Sequence, residues 1–508
     1  MANPLFDALA RGAPDPLAIA IETDDGRAIS FAGLFERSAR MANVLSAYGV
    51  EPGDRVAVQA EKSVDFIALA LACFRSGAAL LPLNPAYTLA ELEYFLADAG
   101  PALTLCRPAS LEAVRRLVGR LGPGHVESLG SRGEGSFDRL ADDAARGFAN
   151  VPRAPDDLAA ILYTSGTTGR SKGAMLTQEN LLSNARVLVD LWRFTPSDVL
   201  IHALPIFHTH GLFVATNVAL IAGAKMIFQS RFDAEAVIAA MPRATTLMGV
   251  PTFYTRLLNC ADLTREKCAS MRLFISGSAP LLRETHEEWK ARTGHAILER
   301  YGMTETNMIT SNPYARERRA GTVGFALPGV EIRVADFETG APVEAGAIGV
   351  VEVKGPNVFK GYWKMPEKTE SEFRGDGFFI TGDLGRFDED GYLVIVGRAK
   401  DLVISGGFNV YPKEVESEID AIPGVFESAV VGLPHPDFGE GVTAFVTLKA
   451  GAKLSEAEIL AALATRLAKF KQPKRVLFLN ALPRNAMGKV QKAALREAHA
   501  TLYSAYSA

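Results

Sequence analysis

The sequence predicts an α/β protein. It comprises a large N-terminal domain of parallel α/β sheets with a β subdomain, followed by a small α+β C-terminal domain. Three observations carry this reading. Apolar strand-length runs alternate with helix-period runs from residue 31 to residue 293, the pattern of parallel strands joined by crossover helices. From residue 330 the strands shorten and glycine turns separate them, which suits antiparallel pairing. The last stretch, about 100 residues and so the size of a small domain, reads strand-helix-strand-strand-helix-strand.

Taken in order, Phe31–Tyr48 has helical apolar spacing, Arg55–Gln59 reads as a strand and Val64–Ser76 as a helix. Gly77–Pro82 and Leu103–Cys106 are strands, whereas His125–Asn150 is too polar and irregular to assign. Leu158–Leu162 is short and apolar enough for a buried strand, and it leads into a loop, Tyr163–Gly173. An amphipathic helix follows over Thr177–Trp192, then strands at Val199–Pro205, Ala224–Phe228 and Thr246–Val250. Pro251 opens a helix running through Arg256, because a first helical turn tolerates its missing N–H. Leu273–Pro280 is a strand entering a Gly/Ser turn, backed by a helix over Leu281–Thr293. Val330–Val334, Gly349–Lys354 and Tyr392–Gly397 form the β subdomain. Beyond it come Asp401–Ile404, Pro412–Asp420, Val425–Gly432, Val442–Leu448, Ser455–Leu467 and Arg475–Phe478. The boundary falls at Lys400, giving domains 1–399 and 400–508.

A chain of 508 residues exceeds one ordinary core. Its net charge of −4 supplies no basic footprint for nucleic acid. Cys73, Cys106, Cys260 and Cys268 make no CxxC pair, so reduced thiols are expected and a zinc site is not. The N-terminus lacks the basic and apolar regions of a signal peptide. The most apolar stretch, Leu212–Phe228, carries Thr216, Asn217, Gly223 and Lys225 and reads as buried core. A cytoplasmic protein without a membrane span is the expectation.

The loop Tyr163–Gly173 reads Tyr-Thr-Ser-Gly-Thr-Thr-Gly-Arg-Ser-Lys-Gly. Its glycines let backbone N–H groups approach a ligand. Thr164, Ser165, Thr167, Thr168 and Ser171 add hydroxyls, and Arg170 and Lys172 add positive charge. Such a loop can cradle a polyphosphate; an ordinary Gly/Ser turn is the alternative. The spacing is not Walker A, which disfavours a P-loop NTPase.

Five further segments accompany it: Glu299-Arg-Tyr-Gly-Met-Thr-Glu305, Phe379-Ile-Thr-Gly-Asp383, Gly397-Arg-Ala-Lys-Asp401, Ser405-Gly-Gly-Phe-Asn-Val-Tyr-Pro412 and Pro483-Arg-Asn-Ala-Met-Gly-Lys489. Together the six resemble the adenylate-forming acyl-CoA synthetases, a superfamily that also holds luciferases and peptide-synthetase adenylation domains. The resemblance spans essentially the whole chain. It implies that ATP, Mg²⁺ and coenzyme A are used. The carboxylate would attack the α-phosphate, pyrophosphate would leave, and a thiol would then displace AMP, with catalysis chiefly by positioning and charge neutralisation.

By this resemblance, Thr164, Ser165, Gly166, Thr167, Thr168, Lys172 and Met303 belong to the nucleotide site, with Tyr301 and Gly302 beside the adenine. Thr304 meets the α-phosphate and Glu305 holds Mg²⁺, a site of one carboxylate plus phosphates; a charge at a helix N-terminus is the plainer reading of Glu305. Asp383 and Arg398 resemble a ribose-binding pair, where a surface ion pair is the alternative. Lys489 matches the adenylation lysine, a point charge between carboxylate and α-phosphate. Its acylation would remove that charge and is carried as a regulatory modification. Lys400 matches the hinge, and Ser405, Gly406 and Gly407 match the face presented to the pantetheine arm in the second half-reaction.

The acyl pocket is implied by His208, Thr209 and Met308, with His208 also placed in the catalytic set and His202 read as structural. Arg300 stands where aryl-specific relatives carry glycine, and Arg256 lies on a helix bordering the same space. A cation there is costly unless an anion meets it. A dicarboxylic acid supplies that anion, which a guanidinium grips bidentately, and Ser278 adds a hydroxyl. The segments around His208 and Arg300 resemble the malonate–CoA ligases, implying malonate, with methylmalonate as a second diacid. Pairing of Arg256 or Arg300 with Glu299 is the structural alternative. Another short or medium carboxylic acid is the closest competing substrate. A carrier-loading enzyme, an ATP-binding regulator and a luciferase-type oxygenase are more distant readings.

Overall fold

The computed structural model describes residues 3–13, 15–164, 171–485 and 488–503. The N-terminal part contains two large sheets. One has six strands in the order His125–Ser128, Leu103–Cys106, Arg55–Gln59, Ala79–Pro82, Leu158–Thr164, Lys172–Thr177. All its pairs are parallel except the last. The other has nine strands, with Leu298–Met303, Leu273–Ser276, Thr246–Gly249, Val199–His202 and Lys225–Phe228 as its parallel centre.

The helix Val64–Ser76 shows how sequence produces these layers. Ser63 caps it by accepting from the Phe66 N–H, and Gly77 closes it at φ 82, a left-handed geometry that glycine adopts without strain. Every residue of Val64–Ser76 is buried, as expected of a helix apolar on most sides, with Asp65 paired to Arg37 and Arg75 donating to Asn150 and the Phe35 carbonyl.

An antiparallel sheet follows, with strands Glu331–Ala335, Gly349–Lys354, Phe379–Phe387 and Leu393–Arg398. Past Asp401, Val403, Val415, Ile419, Val430, Val446 and Ile459 pack a hydrophobic cluster of their own. There the hairpin Val425–His435/Gly439–Leu448 carries the strand Arg475–Phe478 in parallel on its edge. The expected α/β class with a small C-terminal domain is borne out.

The unassigned region contains the strand His125–Ser128 and the helix Ser136–Asp143. Its polarity has a cause: buried Asp138 accepts from the N–H groups of Gly130 and Gly135. Among the strands that escaped the sequence reading, two lie at the site. Lys172–Thr177 pairs antiparallel with Leu158–Thr164, so the Gly-rich loop joins two strands rather than a strand and a helix. Asn307–Ser311 folds back on Leu298–Met303 to make a hairpin around Glu305.

Candidate active site

The site lies at the carboxyl ends of the nine-stranded sheet's parallel strands, where open α/β sheets bind ligands. The hairpin Leu298–Met303/Asn307–Ser311 positions its nucleotide side. Gly302 is required for the close approach: a Cβ there would lie 1.9 Å from the Asn307 carbonyl oxygen. The turn places Thr304 half-buried and Glu305 buried, so Glu305 is not at a helix start. Thr164 Oγ1 donates to Glu305 Oε1 at 3.3 Å, and the Tyr362 hydroxyl meets the same oxygen at 3.0 Å. Burial raises the Glu305 carboxyl above its ordinary range. Ser165, Gly166, Thr167 and Thr168 lie outside the described residues.

Among the described residues no three His, Cys, Asp or Glu side chains cluster so as to hold a metal by themselves. A buried carboxylate with hydroxyls at one oxygen instead fits Mg²⁺ completed by phosphate oxygens and water. When bound, that ion would neutralise phosphate charge; Glu305 and Thr164 are the residues in place to hold it.

The Tyr301 hydroxyl donates to Asp383 Oδ2 at 2.6 Å, and Arg398 Nε meets Asp383 Oδ1 at 2.9 Å. Asp383 is buried, so this pair is no solvated surface contact. Lys489 arrives from the C-terminal part on a turn in which its N–H donates to Asn485 Oδ1. Gly488, at φ 74, faces Thr252: a Cβ there would stand 3.1 Å from Thr252 Oγ1. Burial, then the Arg398 charge, bring the Lys489 ammonium down to about 8, while Asp383 pulls the other way. The C-terminal lysine therefore sits in the electrostatic field of the Asp383–Arg398 pair.

Arg300, expected in the acyl pocket, is 3% exposed. Its Nε and Nη2 have no hydrogen-bond partner among the described residues. These two nitrogens form one edge of the guanidinium, the edge that grips a carboxylate side-on. Burial brings Arg300 down to about 9, opposed by the neighbouring Tyr254 phenol; it remains a cation at neutral pH. Glu299 does not pair with it. Neighbouring strand residues face opposite ways, and Glu299 meets His286 Nδ1 at 3.4 Å and the Gly321 N–H.

Two residues beside Arg300 went unread in the sequence. Gly277 makes the room, since a Cβ there would stand 2.5 Å from Arg300 Cζ. His210 is buried, its Nδ1 lies 3.1 Å from Ser278 Oγ, and its Nε2 has no partner among the described residues. Burial and then the Arg300 charge hold His210 neutral. His210 opens a π-helical turn, His210–Thr216, and such turns concentrate at functional sites. Ser278, at φ 72, is one of four described non-glycine residues with positive φ; held strain of this kind also clusters at sites. His208 is half-buried against Phe207, and burial brings its imidazole down to about 4. Thr209 donates to Asn307 Oδ1, and Met308 is buried. His202 is a structural residue, bonded to Lys62 and the Gly211 carbonyl.

Arg256 is a correction. Its helix, Pro251–Leu258, buries Phe253, Tyr254, Leu257 and Leu258 and leaves Arg256 exposed. Tyr254 faces Arg300, and a side chain two positions on points about 200° round a helix. One of the two expected guanidinium groups, not both, is therefore buried in the site. Lys400 is exposed on the short turn Ala399–Asp401. Ser405 is buried beneath an exposed turn of Gly406 and Gly407, at φ 59 and 81.

Residues 6–363 match the AMP-binding enzyme family, and residues 414–489 match the AMP-binding enzyme C-terminal domain. The chain belongs to this adenylate-forming family. It is 36% identical to a malonate–CoA ligase of Arabidopsis thaliana, over 89% of this chain and 79% of that protein. It is 37% identical to a feruloyl-CoA synthase of an Amycolatopsis species, over 93% and 94%. The ATP-bound crystal structure of MatB from Rhodopseudomonas palustris superimposes with a TM-score of 0.97, at 61% identity over 99% of this chain and 100% of that one; its apo structure gives 0.86. The chain is thus an AMP-forming acyl-CoA ligase, with ATP and coenzyme A as co-substrates and Mg²⁺ as its metal. No helix among the described residues is long and apolar enough to cross a membrane.

Proposed function

We propose that the acid is malonate, ligated to coenzyme A through malonyl-adenylate with release of AMP and pyrophosphate. One observation carries this: a buried guanidinium, Arg300, offers Nε and Nη2 with no protein acceptor among the described residues. A buried charge demands a partner, and the free carboxylate of a diacid bound in the acyl pocket provides it. Resemblance to a malonate–CoA ligase supports the reading, but the feruloyl-CoA synthase is as similar, and a feruloyl group has one acid function. The pocket cation therefore discriminates where overall identity does not.

In this reading one malonate carboxylate rests on Arg300, with His210 and Ser278 alongside. The other attacks the α-phosphorus, its oxygen forming the new P–O bond as the bond to pyrophosphate breaks. Lys489 and Thr304 neutralise charge at that phosphate, Tyr301, Asp383 and Arg398 hold the nucleoside, and Lys172 serves the phosphate loop. Lys400 is then the pivot that withdraws Lys489 and brings Ser405, Gly406 and Gly407 to the site for thioester formation, in which the thiol sulfur attacks the acyl carbon and AMP leaves. A half-buried Lys489 and an exposed Gly406–Gly407 turn support the adenylation arrangement, in keeping with the higher TM-score to the ATP-bound relative.

A carboxylate panel with ATP and coenzyme A, followed by AMP release, tests the substrate. Malonate should exceed propionate and ferulate by orders of magnitude, and equal turnover of propionate would refute the proposal. Gly277→Ala pushes a methyl group onto Arg300, so it should lose most of the malonate-over-propionate preference; an unchanged preference would remove Arg300 from the pocket. Lys400→Pro fixes a φ that the pivot must change. It should impair thioester formation more than ATP–pyrophosphate exchange, and equal loss of both would argue against the hinge.

A further inference from the structure

Lys172, assigned to the phosphate loop, is engaged by protein groups. Its Nζ donates to Glu372 Oε1 at 3.0 Å and stands 4.0 Å from the centre of the Tyr362 ring. Lys368 meets the same carboxylate oxygen at 2.7 Å. The Tyr362 hydroxyl donates to Glu372 Oε2 at 2.6 Å and lies 3.0 Å from Glu305 Oε1. A single buried tyrosine thus separates two carboxylates, with a lysine ammonium against its ring.

The charges explain the arrangement. Glu372 gathers two ammonium groups and the Tyr362 proton, whereas Glu305 is met by the Thr164 hydroxyl, the Tyr362 hydroxyl oxygen and a backbone N–H, with no ammonium on it among the described residues. Lys172 is close enough for its charge to act on Glu305. Without the Glu372 charge, Lys172 would be left acting on Glu305, the residue assigned to the metal, across the shared Tyr362.

We propose that Glu372 is a positioning residue for Mg²⁺: by holding the Lys172 ammonium on its own carboxylate it keeps that charge off Glu305 and leaves Glu305 open to the ion. The inference rests on the reading of Glu305 as the metal carboxylate. Nothing in the six motif segments marks Glu372, which lies 200 residues from Lys172 in sequence.

The test is a Mn²⁺ titration followed by electron paramagnetic resonance, on the full chain saturated with α,β-methylene ATP, with saturation of each variant verified by calorimetry. Glu372→Gln preserves an acceptor for Tyr362 and should weaken Mn²⁺ binding about tenfold, the lower end for losing a supporting partner of a metal ligand. Lys172→Met combined with Glu372→Gln should recover most of that loss, because the competing ammonium is gone. A merely structural Glu372 would give a double variant no better than the single one, and that result overturns the proposal, as does unweakened binding by Glu372→Gln. A Glu305→Gln control separates the two readings. If it binds Mn²⁺ like the parent, the metal assignment itself fails.

Discussion

Lys489→Ala slows adenylation by about 10²-fold or more, the scale of one lost transition-state contact, while thioester formation from supplied malonyl-adenylate persists. The expectation follows from where the lysine sits. Its ammonium is carried on the C-terminal part of the chain, yet Arg398, Asp383, Lys400 and Asp401 all act on it. Burial lowers its proton affinity to about 8, so the charged form prevails below that pH and is lost above it. In the free enzyme, kcat/KM for ATP–pyrophosphate exchange should therefore fall as pH rises through 8, and that limb should be absent from the variant. Exchange at the parental rate in Lys489→Ala would end the assignment.

Arg300→Met raises the malonate KM and abolishes the preference for a diacid. Losing one partner of a buried charge pair costs about 2–5 kcal/mol, so kcat/KM for malonate should drop roughly 30-fold to several thousandfold on that scale. The affinity for ATP should hold, because Arg300 and the Asp383–Arg398 pair belong to separate contacts. Propionate should be handled as well as before or better, since an unpaired buried cation no longer opposes an uncharged methyl end. Selection among acids by the variant that matches the parent's would show that the second carboxylate is recognised elsewhere.

Much of the fold was legible because its strands and helices are short apolar runs with polar or glycine borders. Arg55–Gln59, Val64–Ser76, Leu103–Cys106, Pro412–Asp420 and Arg475–Phe478 end where their patterns end. Lys172–Thr177 was hidden because its first two residues belong equally to the loop motif, and pairing with Leu158–Thr164 decides the matter only in three dimensions. In the site, the motif residues could be read in order along the chain, since the chemistry fixes their types. What surrounds them could not. Gly277, His210, Tyr362 and Glu372 gain their meaning from neighbours distant in sequence. Arg256 was misplaced for a related reason: distance from Pro251 gives its turn of the helix but not its face, and burial of Tyr254 turns it outward.

The central claim is that Arg300 awaits the second acid function of the substrate. A crystal structure of this chain with malonate and a non-reactive ATP analogue tests it directly. The account predicts one malonate carboxylate side-on to Arg300 Nε and Nη2, with the other directed at the α-phosphate. Malonate bound with neither carboxylate on Arg300, or an Arg300 turned onto a protein acceptor, would contradict it.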